Sequence, residues 1–263
     1  LPISGVEDRR AGCSDLEVMT WVEVLGELST GLAEADEDLW YYLTAVGMTE
    51  RSLDEAKEAT DLLASYVMNL RESRVADLGC GVGRHLLSLA RHTTHLVGVE
   101  ASPSLARLAA RLVPEARVET ASFHDLAELG AFDVVCAFSH VLMLANGPEG
   151  VIGNLQLIRG AMPDYGLLVV EVMPISPGVL EWHGTDGTTV AEERQATTDG
   201  LQHEFRIKSA AGEWRTELPS AVVAPTAWLA VAEAGGFQVE AVEPLLYSDG
   251  TSSSFYFLRA QKG

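Results

Sequence analysis

The feature that most constrains the fold is the stretch 74–85, which reads Arg-Val-Ala-Asp-Leu-Gly-Cys-Gly-Val-Gly-Arg-His. An apolar run leads here into a glycine-rich turn and then into a helix-forming segment, the strand-turn-helix pattern of parallel α/β sheets. Gly79, Gly81 and Gly83 alternate, so the backbone can adopt dihedral angles closed to other residues and approach a ligand closely. Asp77 lies at the carboxyl end of the predicted strand, where such sheets bind their ligands. The stretch therefore predicts a ligand-binding loop.

A second carboxylate follows at a spacing that suits ribose recognition. Twenty-one residues after Gly79, another apolar run ends at Glu100, where an acidic side chain could accept hydrogen bonds from both hydroxyls of a ribose. The turn reads Gly-x-Gly-x-Gly, and Arg84 stands where the dinucleotide fingerprint has its third glycine. This departure disfavours a cofactor that contains a pyrophosphate.

The same segments resemble a known family. Val-Ala-Asp-Leu-Gly-Cys-Gly-Val-Gly-Arg-His, followed by Val-Gly-Val-Glu-Ala-Ser-Pro, is similar to motifs I and II of class I S-adenosylmethionine-dependent methyltransferases. The likeness is greatest to the bacterial small-molecule branch that carries Gly-x-Gly-Arg-His, which includes sugar and antibiotic N-methyltransferases. By element order it covers roughly residues 40 to 260. It implies S-adenosyl-L-methionine as the cofactor and a small molecule as the methyl acceptor.

The resemblance implies an α/β fold, namely a Rossmann-like seven-stranded sheet with a helical amino-terminal lid and a small antiparallel β insertion after strand 5. The alternation of apolar runs and helical spacings independently predicts a parallel sheet covered on both sides. We expect a lid over 1–70, a cofactor-binding core over 71–175, an acceptor-side insertion over 176–224 and a carboxyl-terminal completion of the core sheet over 225–263. The sequence predicts core strands at 74–79, 96–100, 117–121, 132–138 and 166–173, and helices at 84–92, 103–112 and 148–162.

The pattern changes after Pro174. Apolar and polar residues alternate in three segments separated by Asp-Gly and Ala-Gly turn signals, which is typical of half-exposed antiparallel strands. In the lid, Ser52 with Glu55 reads as a capping box ahead of a helix that runs to about Leu70. The remaining predicted elements are strands at 188–193, 202–209 and 214–223, a helix from Pro225 to the Gly235-Gly236 pair, and final strands at 237–242 and 254–260.

The family resemblance also implies roles for residues around the cavity. Asp77 would face the ammonium group of the cofactor and Glu100 would accept its ribose hydroxyls. Ser122 stands where the family usually has an Asp that accepts from the adenine amino group, with Asp125 as a cap or surface residue, and Phe123 would pack on the adenine. The predicted cofactor-binding residues are Asp77, Gly79, Gly81, Gly83, Arg84, Glu100, Ala101, Ser122, Phe123 and Phe138.

Candidates for the chemical step come from three segments. His140 follows the fourth strand, beside the transferable methyl group in this fold, and could be a general base or a structural loop residue. Tyr41 and Tyr42 in the lid are candidates to face the acceptor, or else they anchor the lid to the core. His183 in the insertion is a weaker candidate for acceptor binding. Arg84 is expected to pair with a carboxylate of the lid or of the cofactor.

Composition limits the partners. Lys and Arg total 18 against 38 Asp and Glu, so the net charge is −20, and a nucleic-acid partner is not expected. The same negative field would attract a cationic amine.

The three cysteines are too few for a disulfide framework, and no apolar run is long enough for a membrane span, so we expect a cytoplasmic protein. No His, Cys and carboxylate spacing predicts a metal site. The insertion and the acidic lid are candidate surfaces for a homo-oligomer.

The sequence therefore favours a methyltransferase that acts on a small polar molecule, with an amine nitrogen of a natural product or sugar preferred as acceptor. An O-methyltransferase that uses His140 as its base is an alternative. A nicotinamide-dependent oxidoreductase on a similar sheet and a non-catalytic cofactor-binding protein are two further alternatives, because one fold hosts many functions.

Overall fold

The computed structural model describes residues 50–183, 189–209, 212–248 and 250–262. Within these residues, eleven strands form two sheets. The strands are β1 (Val75–Leu78), β2 (Leu96–Glu100), β3 (Arg117–Thr120), β4 (Val134–Ala137), β5 (Leu167–Val172), β6 (Gly178–His183), β7 (Thr189–Ala196), β8 (Gly200–Ser209), β9 (Gly212–Ala221), β10 (Phe237–Leu246) and β11 (Ser252–Ala260). The α-helices are α1 (Glu50–Tyr66), α2 (Arg84–Leu89), α3 (Pro103–Leu112), α4 (Gly147–Gly160) and α5 (Trp228–Ala234), and short 3₁₀ helices span Phe123–Leu129, Val141–Met143 and Pro225–Ala227.

The seven-stranded core sheet has the order β10-β11-β5-β4-β1-β2-β3. Strands β1 to β5 are parallel, and β11 joins the sheet antiparallel to both β5 and β10. The chain moves outward from β1 in one direction through β2 and β3 and in the other through β4 and β5. Because the direction of winding reverses between β1 and β4, a crevice opens at their carboxyl ends, where ligands bind in such sheets.

Both faces of the core sheet are covered, as the continuous apolar runs predict. Ala76 and Leu78 of β1 belong to one hydrophobic core, which is completed by Trp228 of α5. Val75 of the same strand belongs to the other core, where it shares a cluster with Leu86 of α2. Adjacent residues of one strand therefore enter separate layers, which holds the glycine-rich loop after β1 between them.

Strands β6 to β9 form a separate antiparallel sheet, called here the second sheet. It lies within the predicted insertion 176–224 and includes β6, which the sequence analysis did not predict. The alternation of burial along β8 confirms half-exposed strands, since Leu201, His203, Phe205 and Ile207 are buried and the residues between them are more exposed. The core sheet and the second sheet together confirm the fold class.

Several element boundaries differ from the sequence predictions, most clearly those of α1 and β10. The described part of α1 begins at Glu50, two residues before Ser52 of the predicted capping box. The same helix ends at Tyr66 rather than near Leu70, because turns follow it directly. Strand β10 continues to Leu246 through Pro244, which is tolerated because β10 is an edge strand with one partner.

Candidate functional site

A cavity of about 400 Å³ lies at the carboxyl ends of β1, β2 and β4. Its position is the point where the strand order reverses, as expected for a ligand site in this architecture. Nine of the ten predicted cofactor-binding residues line it, all except Gly83. The lining residues that the sequence analysis did not assign to the site are Cys80, His85, Val99, Leu105, Ala121, Ser139, Val141, Leu144 and Leu218.

The loop after β1 is packed directly against the loop after β4. Gly79 has a φ of +61°, a conformation that residues with a β-carbon rarely adopt. A β-carbon at this position would lie 2.2 Å from Cγ2 of Val141, far inside van der Waals contact. Glycine is therefore required here both by the backbone conformation and by the close approach of the second loop.

Gly83 lies at the amino end of α2 and does not line the cavity. It is the N-cap residue of α2 with a φ of +93°, and a β-carbon there would lie 3.1 Å from Val113 at the end of α3. The close packing of α2 against α3 and the backbone conformation both favour glycine at this position.

Asp77 places a buried carboxyl group at the floor of the cavity. Its side chain is 1% exposed, and Oδ2 has no hydrogen-bond partner. Burial raises the pKa of Asp77 to about 8, against the lowering effect of the nearby Arg84 guanidinium, while the Glu100 carboxylate raises it further. A buried polar atom without a partner costs free energy, which a cationic hydrogen-bond donor in the cavity would recover.

Glu100 is held in place by main-chain donors. The Gly81 N–H donates to Oε2 at 2.9 Å, and the Ser102 N–H donates to Oε1 at 2.9 Å. Each carboxylate oxygen keeps further lone pairs, so Glu100 can accept additional hydrogen bonds from a ligand without moving. The first of these contacts also ties the tip of β2 to the glycine loop after β1.

Ser122 and Asp125 form the cap of the 3₁₀ helix Phe123–Leu129. The hydroxyl of Ser122 donates to Asp125 Oδ2 at 2.8 Å and accepts from the His124 N–H, and Asp125 Oδ2 also accepts from the Ser122 N–H. The prediction of Asp125 as a capping residue is confirmed. Because Ser122 already donates its proton, it can serve a ligand at the cavity edge only as an acceptor, which still suits an amino group.

Arg84 connects the cavity with helix α1. Its Nη1 lies 3.7 Å from Oε2 of Glu55, and its Nη2 donates to the hydroxyl of Ser139. The prediction that Arg84 pairs with a carboxylate of the lid segment is therefore confirmed. The guanidinium is nearly buried, so this pairing joins α1, α2 and the loop after β4 on one side of the cavity.

The loop after β4 is anchored by a buried carboxylate that sequence reasoning missed. Glu171 accepts from the Ser139 N–H at 2.7 Å, from the Tyr247 hydroxyl at 2.6 Å and from the Ser253 hydroxyl at 2.8 Å. Burial, with the negative charge of Glu171, raises the pKa of Tyr247 well above its ordinary value. The available signal was one acidic residue inside the apolar run Leu-Leu-Val-Val-Glu-Val of β5.

His140 lies in the same loop but is not among the residues that line the cavity. Ser139 and His140 have φ values of 50° and 67°, so the chain turns sharply here. Nε2 of His140 is hydrogen-bonded to the Ser220 hydroxyl of β9 at 2.9 Å, and Nδ1 is buried without a partner. Burial, and then the electrostatic influence of His203 and Arg194, lower the pKa of His140 to about 4.

The remaining described candidate, His183, is not among the residues that line the cavity. His183 is exposed on the edge strand β6, where Nδ1 is 3.2 Å from the Thr189 hydroxyl. Tyr41 and Tyr42 lie outside the described residues.

Among the described residues, no group of three or more His, Cys or carboxylate side chains could hold a metal ion. No helix in the described part of the chain is long and apolar enough to cross a membrane.

Sequence comparison identifies the central region. Residues 75–155 match a family model described as a methyltransferase domain, and this region contains both β1 and the loop after β4. The chain is also 42% identical over 86 residues to the magnesium-protoporphyrin O-methyltransferase of Rhodobacter capsulatus. That match covers 31% of this chain and 38% of the relative, so the chain aligns with well under half of that enzyme.

Structural comparison extends the likeness to most of the chain. An S-adenosylmethionine-dependent methyltransferase from Clostridium acetobutylicum matches with a TM-score of 0.67 at 9% identity, over 84% of this chain and 96% of the other. CalS10, an amino pentose methyltransferase from Micromonospora echinaspora solved with S-adenosylmethionine bound, matches with a TM-score of 0.58 at 21% identity, over 78% and 90% of the two chains. The chain therefore shares the fold of these S-adenosylmethionine-dependent methyltransferases, with the region that matches the family model at its centre.

Proposed function

We propose that this chain, which carries a methyltransferase domain, transfers a methyl group from S-adenosylmethionine to a small polar molecule. The observation that carries the proposal is the pair of carboxylates in the cavity. Asp77 presents a buried oxygen without a partner, and Glu100 is held rigidly with lone pairs to spare. These two groups fit a ligand that has an ammonium group at one end and a ribose at the other.

The site residues can be assigned to parts of this cofactor. Asp77 would hold the ammonium group, directly or through water, and Glu100 would accept from the ribose hydroxyls. Ser122 would accept from the adenine amino group, and Phe123 would pack on the ring. Arg84 contributes indirectly, because it orders Ser139 and the loop after β4.

S-Adenosylmethionine, when bound, supplies a methyl group already activated on a positive sulfur, so the chain needs no nucleophile of its own. The chain contributes binding, alignment and exclusion of water. Apolar wall residues such as Val99, Phe138 and Leu218 would help to exclude water from the methyl group. Alignment of the acceptor with the methyl group and sulfur lowers the activation free energy by about 7 kcal/mol or more. This is the larger part of the rate acceleration that the protein has to provide.

An amine nitrogen is the acceptor we favour. A net charge of −20 attracts a cation to the protein, and CalS10, which shares the fold, is by its name an amino pentose methyltransferase. An amine requires only that its ammonium form lose a proton and that its lone pair point at the methyl group. A hydroxyl requires a stronger base. With a pKa lowered to about 4, His140 is a weak base, and this favours the amine over the O-methyltransferase alternative that relies on it.

Ligand-induced stabilisation separates this proposal from its rivals. S-Adenosylhomocysteine at a hundred times its Kd should stabilise the protein by about 2.7 kcal/mol, which raises Tm by roughly 5–10 °C for a chain of this size. NAD should leave Tm unchanged, since Arg84 replaces the glycine that a dinucleotide needs. A rise in Tm with NAD alone would instead favour the oxidoreductase.

Mass spectrometry tests transfer itself. A panel of aminosugars, phenethylamines and matched hydroxyl compounds is incubated with methyl-labelled S-adenosylmethionine, and labelled amine is the expected product. Binding of the cofactor without any labelled product would favour the non-catalytic alternative. A cytoplasmic location, the absence of a nucleic-acid partner and a homo-oligomeric state stay predictions from composition.

A further inference from the structure

A buried polar cluster lies on the inner face of the second sheet and has no part in the cofactor site. Glu192 of β7 accepts two hydrogen bonds from Arg194, from Nε and Nη2, each at 2.7 Å. Oε1 of the same carboxylate lies 2.7 Å from Nδ1 of His203 on β8. Burial raises the pKa of Glu192, but the hydrogen bonds and charges of His203 and Arg194 outweigh it and lower that pKa to about 2. Glu192 is therefore ionised at neutral pH.

The ionised carboxylate determines which nitrogen of His203 carries the proton. A carboxylate can only accept, so Nδ1 of His203 is the donor in this pair. In the neutral imidazole, Nε2 then has a free lone pair. That atom is buried and has no hydrogen-bond partner, although His203 is more than nine-tenths buried. A buried acceptor without a partner is costly to maintain, which points to a ligand that supplies the missing donor.

The register of the second sheet places His203 next to the cofactor cavity. Its cross-strand neighbour on β9 is Leu218, which is itself a wall residue of the cavity. Two residues further along β9 is Ser220, whose hydroxyl is bonded to His140 from the loop after β4. Directly opposed residues of antiparallel strands lie side by side on one face of the sheet, so the imidazole of His203 adjoins the Leu218 side chain that lines the cavity. Movement of the Leu218 side chain would bring an acceptor in the cavity close to His203.

We infer that His203, oriented by Glu192, binds the N–H or O–H group of the methyl acceptor and takes its proton during transfer. This inference rests on the proposed methyl transfer. The lone pair of the acceptor nitrogen forms the new bond to the methyl carbon, the bond from that carbon to sulfur breaks, and its electron pair stays on sulfur as a thioether. The proton leaves nitrogen for Nε2 of His203, and the imidazolium formed is stabilised by Glu192 before it releases the proton to solvent.

The other charged groups that face His203 agree with this role. Arg194 on β7 makes two hydrogen bonds to the same Glu192 carboxylate, which offsets part of its opposition to an imidazolium at His203. His140 from the loop after β4 stays neutral at physiological pH because of its lowered pKa. Within the cluster, the ionised Glu192 is the group bonded directly to His203 and is placed to stabilise a positive charge there.

Substitution of the pair tests the inference, with an amine found by the labelled-cofactor panel as acceptor. His203→Gln should lower kcat by about a hundredfold or more, the usual contribution of a positioned base. Glu192→Gln should lower kcat by about tenfold and shift the pH profile of kcat, because the imidazole loses its fixed orientation. The Kd for S-adenosylhomocysteine should stay within twofold in both variants, since neither residue lines the cavity.

Matched controls come from the same protein. Glu193→Gln changes the neighbouring carboxylate on the outer face of β7, and His95→Gln changes an exposed histidine before β2. Both should retain wild-type kcat within twofold. A His203→Gln protein that binds S-adenosylhomocysteine normally and keeps the wild-type rate and pH profile would overturn the inference, whereas wild-type protein that binds no S-adenosylhomocysteine would overturn the proposed function itself.

A spectroscopic readout needs no acceptor. In protein labelled with ¹⁵N-histidine and saturated with S-adenosylhomocysteine, the neutral ring of His203 should carry its proton on Nδ1 and none on Nε2. Glu192→Gln should weaken or reverse the preference for the tautomer protonated on Nδ1. Glu193→Gln should leave this preference unchanged. A His203 ring with its proton on Nε2 in the wild-type protein would overturn the inference, even if Glu192→Gln fails to fold.

Discussion

At the scale of single residues, the site depends on titratable side chains whose properties are changed by burial. Asp77 and His140 are both nearly buried, and burial shifts their pKa values in opposite directions, upward for the acid and downward for the base, because it disfavours the charged form of each. Their roles therefore differ. The carboxyl group of Asp77 would be ionised when a cation binds, whereas His140 stays neutral near pH 7.

Cofactor binding should release a proton from Asp77. With a pKa of about 8, its carboxyl group is mostly protonated at pH 7 in the free protein and becomes ionised when the cofactor ammonium binds. Affinity for S-adenosylhomocysteine should therefore rise by up to about tenfold per pH unit from pH 6 to pH 8 and then level off. Titration calorimetry in phosphate and in Tris at pH 7 measures the released proton.

Asp77→Asn is the matched variant for this test. It should lose the pH dependence and bind S-adenosylhomocysteine at least about tenfold more weakly, because a charge-assisted hydrogen bond is lost. Equal binding enthalpies in the two buffers with wild-type protein would contradict the assignment of Asp77 to the ammonium group.

His140→Ala should affect stability more than catalysis. A histidine whose folded pKa of about 4 lies below its unfolded value stabilises the protein fully above pH 6.5, and this contribution is lost as the pH falls toward 4. The wild-type protein should therefore lose roughly 1.4 kcal/mol per pH unit in this window through His140. In urea unfolding, the free energy of unfolding should differ less between pH 7 and pH 5 for His140→Ala than for the wild type.

The kinetic effect of the same substitution separates two chemistries. We expect kcat of His140→Ala to fall by less than about tenfold, since an amine acceptor does not need this base. A loss of about a hundredfold or more, with the fold and cofactor binding retained, would make His140 the base and favour a hydroxyl acceptor.

At the scale of elements, two loops from neighbouring strands form the cavity as one interlocked unit. The loop after β1 reaches Val141 through Gly79, and the loop after β4 is fastened by Ser139 to Glu171 of β5 and to Arg84 of α2. Neither loop could hold its shape alone, because each relies on contacts with the other. Changes at the contact between them should therefore affect stability and cofactor binding together.

Gly79→Ala should disrupt this contact. The added β-carbon must adopt a φ of +61° and overlaps Cγ2 of Val141, so we expect a loss of about 2–4 kcal/mol in the free energy of unfolding. The double variant Gly79→Ala/Val141→Ala should recover the steric part of the lost free energy of unfolding. It should keep the part that comes from the strained backbone conformation. Chemical denaturation of both single variants and the double variant measures the coupling.

Gly153→Ala is the control for the glycine substitution. Gly153 lies within α4 with no heavy atom close enough to contact an added β-carbon, so alanine should stabilise the helix by about 0.5–1 kcal/mol. Equal stability of Gly79→Ala and the wild type would contradict the interlocked arrangement of the two loops.

At the scale of the whole molecule, negative charge is the dominant property outside the cavity. The net charge of −20 on 263 residues means that the folded chain repels itself, and salt screens this repulsion. The ion pairs on the outer face of the second sheet, such as Arg206 with Glu193, are exposed and contribute little. Net repulsion should therefore decide how stability responds to salt.

Tm should rise when NaCl is increased from ~20 mM to ~500 mM, because the Debye length shortens below the spacing of the surface charges. Scanning calorimetry at constant pH measures this change. A Tm that falls with salt would mean that surface ion pairs outweigh the overall repulsion. The same salt range also tests the choice of acceptor. KM for a cationic amine should increase between ~20 mM and ~500 mM NaCl, whereas KM for a neutral acceptor should stay unchanged.

The sequence by itself determined the features that depend on neighbouring residues. The core strands, the helix starts at Arg84 and Pro103, the glycine turn and the positions of Asp77 and Glu100 follow from periodicity and local backbone chemistry, and the structure places them as expected. The ends of α1 and β10 differ from the predicted ones, by about four residues each.

Only the tertiary structure decided which distant residues meet. Glu171 is bonded to Ser139, Tyr247 and Ser253, and His203 is bonded to Glu192 and lies opposite Leu218. These pairs are separated along the chain by eleven residues or more, and no local pattern encodes them. Burial of polar atoms is likewise a property of the assembled layers, because the pKa of a carboxyl or an imidazole depends on the water that surrounding segments exclude.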